Sequence, residues 1–124
     1  MSSTAVILLV DDEPTSRHLM ATLLTDMGYA VASAASGDEA IEFLRSKEAC
    51  HVLMSDVVMP GMSGVELARR SREARPDLPT VLVTGKAEGW RTALEEGALA
   101  MSKPVNRERL ANVLADVLRA PPSR

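Results

Sequence analysis

Short apolar runs in this chain each end in residues that can do chemistry. Val6-Ile7-Leu8-Leu9-Val10 leads into Asp11-Asp12-Glu13, and His51-Val52-Leu53-Met54-Ser55 into Asp56. Val81-Leu82-Val83 leads into Thr84, and Leu99-Ala100-Met101-Ser102 into Lys103-Pro104. If these runs are parallel strands of one sheet, all four groups stand at its carboxyl edge, where open α/β sheets bind their ligands. Three carboxylates gathered there repel one another, and a hard divalent cation such as Mg²⁺ relieves the repulsion. Together with Lys103, that cation cancels the three negative charges, so an incoming dianionic phosphoryl group is tolerated. The predicted chemistry is metal-assisted phosphoryl transfer. Asp56 would be the nucleophile that forms an acyl phosphate. Asp11 and Asp12 would hold the metal, Thr84 would hydrogen-bond a phosphoryl oxygen, and Lys103 would supply a point charge.

The elements that must carry these residues alternate strand and helix, which predicts βαβ units and a mostly parallel sheet. The first strand, about Ala5 to Val10, is apolar without alternation, as expected of a strand covered on both faces. Asp12 is suited to cap the helix that follows, Pro14 to open it and Gly28 to end it. A second strand is expected over Tyr29 to Ala34. Ser36-Gly37-Asp38 then opens a helix with Ala40, Ile41 and Leu44 inward. The third strand ends at Asp56. A mobile-looking loop, Val57 to Gly64, precedes a helix over Val65 to Ala74. A short fourth helix is expected over Trp90 to Glu96, with Gly97 as its stop. Leu110, Val113, Leu114, Val117 and Leu118 make the stripe of a last helix. Strict alternation places helices on both faces of a five-stranded sheet, and the flavodoxin-like order 2-1-3-4-5 puts its switch point between strands 1 and 3. Asp11, Asp12 and Asp56 would meet in that crevice.

The bulk properties narrow the function further. A chain of 124 residues with 46% hydrophobic and 25% charged residues reads as one ordinary globular domain. A net charge of −3, with both signs mixed along the chain, gives no electrostatic case for nucleic acid or a membrane surface. Lone Cys50 excludes an internal disulfide and reads as packing in a reducing compartment. Met1-Ser2-Ser3-Thr4 lacks the features of a signal peptide, so a cytoplasmic location is expected. His18 and His51 read as structural, and Arg69, Arg70, Arg72 and Arg75 as a solvated basic face.

Val10-Asp11-Asp12-Glu13-Pro14, Ser55-Asp56-Val57-Val58-Met59-Pro60-Gly61-Met62-Ser63-Gly64, Val83-Thr84-Gly85 and Ser102-Lys103-Pro104 together resemble the receiver domain of bacterial response regulators. The kind it resembles most is the chemotaxis-regulator-like single domain. The resemblance covers about residues 5 to 119, so a receiver domain is expected over 1–119, leaving 120–124 as a Pro-rich tail. It implies that Asp56 accepts a phosphoryl group from a sensor histidine kinase or phosphotransfer protein. It implies that Asp11, Asp12, Asp56 and the backbone carbonyl of Val58 hold Mg²⁺. It further implies that Thr84 and Lys103 report phosphorylation to a face made by the fourth helix, fifth strand and last helix, where a downstream protein target binds. A cis peptide is expected at Lys103-Pro104.

The chain departs from the family pattern at Ala100, where an aromatic switch residue is usual, and in a shortened interval between Thr84 and Lys103. Output is therefore expected to use backbone rearrangement around Thr84 to Trp90. Val58 and Lys86 stand where the family's side chains tune attack of water on the acyl phosphate. Apolar Val58 cannot orient a water, which predicts a long-lived phosphoryl group. Two other functions compete: a receiver-like interaction module that signals without phosphorylation, and a small Mg²⁺-dependent phosphatase. The phosphatase reading lacks the Asp-x-Asp pair such enzymes usually show.

Overall fold

The computed structural model describes residues 4–85 and 87–119, with the side chains of 87–89 and 119 outside that set. Lys86 and the Pro-rich tail at 120–124 lie outside the described residues. Among the described residues, ten elements alternate. The strands are β1 (Val6–Val10), β2 (Ala30–Ala34), β3 (Val52–Asp56), β4 (Thr80–Thr84) and β5 (Leu99–Ser102). The helices are α1 (Pro14–Asp26), α2 (Gly37–Arg45), α3 (Gly64–Ala74), α4 (Ala87–Glu95) and α5 (Arg107–Arg119). All strand pairings are parallel and the order is β2-β1-β3-β4-β5. The expected five-stranded α/β sheet and its order are therefore observed.

Period-two alternation divides the core. Ile7 and Leu9 of β1 and Met54 of β3 pack with Leu24 of α1 and with Leu110 and Leu114 of α5 on one face. Leu8, Val10 and Leu53 point the other way, to Ala40, Ile41 and Leu44 of α2 and Leu67 of α3. That second face continues under α4 as a smaller cluster of Val57, Ala68, Leu82, Ala93 and Ala98. Because β1, β3 and β4 are covered on both faces, they carry the near-continuous apolar runs that the sequence displays.

Local signals set most element ends. Gly28 and Gly97 end α1 and α4 at φ 99° and 77°, a left-handed conformation that glycine adopts without a Cβ penalty. Several boundaries differ from expectation by one residue, and two differences bear on the site or its surroundings. The α1 cap is Glu13, whose carboxylate accepts from the Ser16 N–H at 2.7 Å, and not Asp12. Pro14 at the first helical position puts the cap at residue 13, and Asp12 contributes an oxygen to the acidic cluster described below. Helix α4 begins at Ala87, three residues before the expected Trp90.

Candidate functional site

The carboxyl edge of the sheet is built by local chemistry at each strand end. Asp11 leaves β1 with its side chain buried, and its Oδ1 accepts from the Glu13 N–H at 3.0 Å. Its carbonyl accepts from the Arg17 guanidinium of α1 at 2.7 Å. The β1–α1 turn is thus fixed from both sides. On neighbouring β3, Asp56 ends the strand and is half-buried. Asp11, Asp12 and Asp56 each present a carboxylate oxygen within 4.8 Å of the other two. Oxygens of three carboxylates at that spacing suit a hard divalent cation, which prefers oxygen ligands and offsets their mutual repulsion.

Lys103 comes from the far edge of the sheet. Its backbone N–H donates to the Thr84 carbonyl at 3.0 Å, extending the β4–β5 pairing by one residue. Its Nζ donates to Asp56 Oδ2 at 2.9 Å. The Lys103-Pro104 peptide is cis, as expected. Thr84 is buried at 2% exposure and stands one residue beyond Val83, the register partner of Asp56. Strand alternation gives Thr84 the face of Leu82, which packs in the cluster beneath α4. The predicted residues Asp11, Asp12, Asp56 and Lys103 meet directly, and Thr84 joins them at the same edge. Beside them a cavity of about 580 Å³ is walled by Leu19, Met20, Leu23 and Val105 and reaches Asp11, Asp56 and Lys103.

The loop after Asp56, expected to be mobile from its composition, is anchored at Val57, Met59 and Met62, while Pro60 and Gly61 are exposed. Val57 and Met59 are buried in different core clusters, and Met62 packs against Gly37 at the start of α2. Val58, in contrast, is 63% exposed beside the acceptor.

Outside the pocket, Arg69, Arg70 and Arg72 of α3 keep the expected solvated face, with side chains 54%, 48% and 41% exposed, and each also takes a carboxylate partner. Arg72 and Arg69 both bond the Glu96 carboxylate, at 2.9 and 3.3 Å, and Arg72 also bonds the Glu96 carbonyl. These bonds, Arg72's first, hold the Glu96 carboxyl below the usual range. Arg70 pairs with Glu66 one turn away, and Arg75 donates to the carbonyls of Leu44, Ser46 and Glu48. A guanidinium fork satisfies several acceptors at once, so these cations serve as internal ties. His51 is structural as expected, its Nδ1 accepting from the Val6 N–H at 2.9 Å. Cys50 packs against the α2 side of the core, and burial pushes its thiol pKa up. Arg17 and Glu13 fix the turn that carries Asp11, roles that spacing alone did not assign. Pro14 was the available signal for Glu13, whereas nothing local marks Arg17.

No described helix is long and apolar enough to cross a membrane. Comparison with known proteins agrees with the geometry. The family model described as "Response regulator receiver domain" matches residues 7–115. The sensor histidine kinase RcsC of Salmonella typhi is 41% identical over 113 residues, 89% of this chain and 12% of its own length. The sensor kinase CckA of Brucella abortus is 35% identical over 122 residues, 95% of this chain and 13% of its own. The chain therefore spans about one-eighth of the curated kinases it matches. The crystal structure of Vibrio cholerae chemotaxis protein CheY4 superposes with a TM-score of 0.84 at 33% identity, covering 94% of this chain and all of that one. With its acidic edge, its Lys103–Asp56 pair and this match over nearly its whole length, the chain belongs to the response regulator receiver domain family of two-component signalling.

Proposed function

We propose that this domain accepts a phosphoryl group on Asp56 from the phosphohistidine of a sensor histidine kinase or phosphotransfer protein. In that step a carboxylate oxygen of Asp56 bonds to phosphorus as the P–N bond breaks. The electron pair returns to the imidazole, which takes up a proton. The observation that carries this reading is the approach of Asp11, Asp12 and Asp56 to within 4.8 Å, with Lys103 Nζ 2.9 Å from the acceptor.

Asp11, Asp12 and Asp56 fit Mg²⁺, with the Val58 backbone carbonyl as a further ligand. When bound, the ion stabilises charge developing on the transferring group. Lys103 supplies a positive charge to one phosphoryl oxygen and Thr84 a hydroxyl to another. Phosphorylation then acts on the face of α4, β5 and α5, where a downstream protein binds, and the setting is the cytoplasm. Thr84 links pocket and face: it ends β4 at the acceptor's edge and shares the strand face of Leu82, which packs with Ala93 of α4.

Incubation with acetyl phosphate and Mg²⁺ tests the proposal. The expected result is a mass gain of one phosphoryl group, lost in Asp56→Asn and in the presence of a chelator. A wild-type protein that gains no mass would favour the second reading, an interaction module independent of phosphorylation. Ala100 supports that alternative: it fills the usual aromatic position with a small side chain packed on the alanine-rich cluster.

A further inference from the structure

One peptide plane, the 56–57 unit, is held at three points. The Val57 N–H donates to the Val83 carbonyl at 3.0 Å. The Asp56 carbonyl accepts from the fully buried Ser55 hydroxyl at 2.9 Å. The third hold is steric. A Cβ on Gly64 would lie 2.1 Å from the Asp56 carbonyl oxygen and 2.9 Å from Val57 Cα. Gly64 is the first residue of α3, and its φ is not positive, so its conformation does not require glycine. The requirement is space. Its N–H in turn donates to the Val57 carbonyl at 2.8 Å, which draws the start of α3 down onto this plane.

We infer that Gly64 and Ser55 are positioning residues for the acceptor, fixing the peptide from which the Asp56 carboxylate projects toward Asp11, Asp12 and Lys103. The inference rests on Asp56 being the acceptor. Any side chain at residue 64 must drive the Asp56 carbonyl back by roughly 1 Å, because a close-packed interior has no slack to absorb it. Misplacement of a reacting group by about that distance costs on the order of a hundredfold in rate. Gly37 provides the internal comparison. It too is buried and opens a helix, but a Cβ there meets only side-chain atoms of Met62, the Sδ at 2.6 Å and the Cβ and Cγ at 3.0 and 3.1 Å, and no backbone.

The test is the rate of labelling by acetyl phosphate at saturating Mg²⁺, with thermal stability measured in parallel. Gly64→Ala is expected to lower the saturating rate at least about tenfold, while Gly37→Ala stays within about twofold of wild type. Arg70→Gly, which weakens the exposed face of the same helix, is expected to lower stability and leave the rate intact. Gly64→Ala labelling like wild type overturns the inference, as does equal slowing in Arg70→Gly. If Gly64→Ala does not fold, Ser55→Ala decides: a rate lowered about threefold supports positioning, and an unchanged rate refutes it. Wild-type protein that takes no label overturns the acceptor reading itself, a result distinct from labelled wild type with unaffected variants.

Discussion

Lys103 and Asp56 are separated by 47 positions in the chain and joined by a 2.9 Å ion pair at the carboxyl edge of the sheet. The lysine side chain is 44% exposed, so the pair contributes about 1 kcal/mol or less to folding. In the proposed function it places a positive charge beside the position a phosphoryl oxygen on Asp56 would take. Lys103→Ala is expected to leave the thermal midpoint nearly unchanged and to slow labelling by acetyl phosphate by about a hundredfold. Lys103→Arg should recover only part of the rate, because a planar fork does not replace a compact ammonium. Mass spectrometry over time, with a parallel melting curve, checks both.

Asp12 is exposed and belongs to a cluster of three carboxylates that repel one another without a cation. Asp12→Asn is expected to raise the thermal midpoint slightly in chelator, since one like charge is gone. It should also abolish most of the midpoint gain expected of wild type in Mg²⁺, because a ligand stabilises only while its concentration exceeds its dissociation constant. Melting curves with and without Mg²⁺ report both effects. A midpoint gain equal to that of wild type would remove Asp12 from the proposed ligand set.

Val58 is 63% exposed and apolar beside the acceptor, so it offers a water no hydrogen bond. Val58→Asn supplies such a group and is expected to shorten the lifetime of the acyl phosphate by about tenfold. The decay of labelled protein after donor removal measures it. An unchanged lifetime counts against the role given to this position.

Glu96 ties the end of α4 to α3 through Arg72 and Arg69, and its carboxyl is held below the ordinary value of 4.5. The folded-state value is lower than the unfolded one, so this contribution is complete above about pH 4.5. It is lost as pH falls through the folded value. Glu96→Gln should therefore melt below wild type near neutrality, with the gap closing in acid. A gap that persists at low pH would place the effect elsewhere than in the clamp.

Much of this molecule was legible in local sequence. Unbroken apolar runs such as Val6 to Val10 announced central strands, because a strand covered on both faces has no solvent side to mark with polar residues. Asp11, Asp56, Thr84 and Lys103 were visible because each ends such a run, and parallel strands put their carboxyl ends at one edge. Contacts between distant surfaces were less legible. The arginine spacing on α3 is that of a solvated face, yet Glu96, far along the chain, lies within reach. The loop from Val57 to Gly64 has the composition of a mobile segment, yet Val57, Met59 and Met62 are packed.

Element order, strand periodicity and the residues that end each strand could be read locally, since these follow from hydrophobic pattern and turn chemistry within a few neighbours. Tertiary structure alone decided that Glu13 and not Asp12 caps α1, that Arg17 holds the Asp11 carbonyl, and that Gly64 leaves no room above Asp56. The physical reason is range. Propensity and capping act over about one helical turn, whereas an ion pair or a close packing contact depends on where the whole sheet brings two segments together.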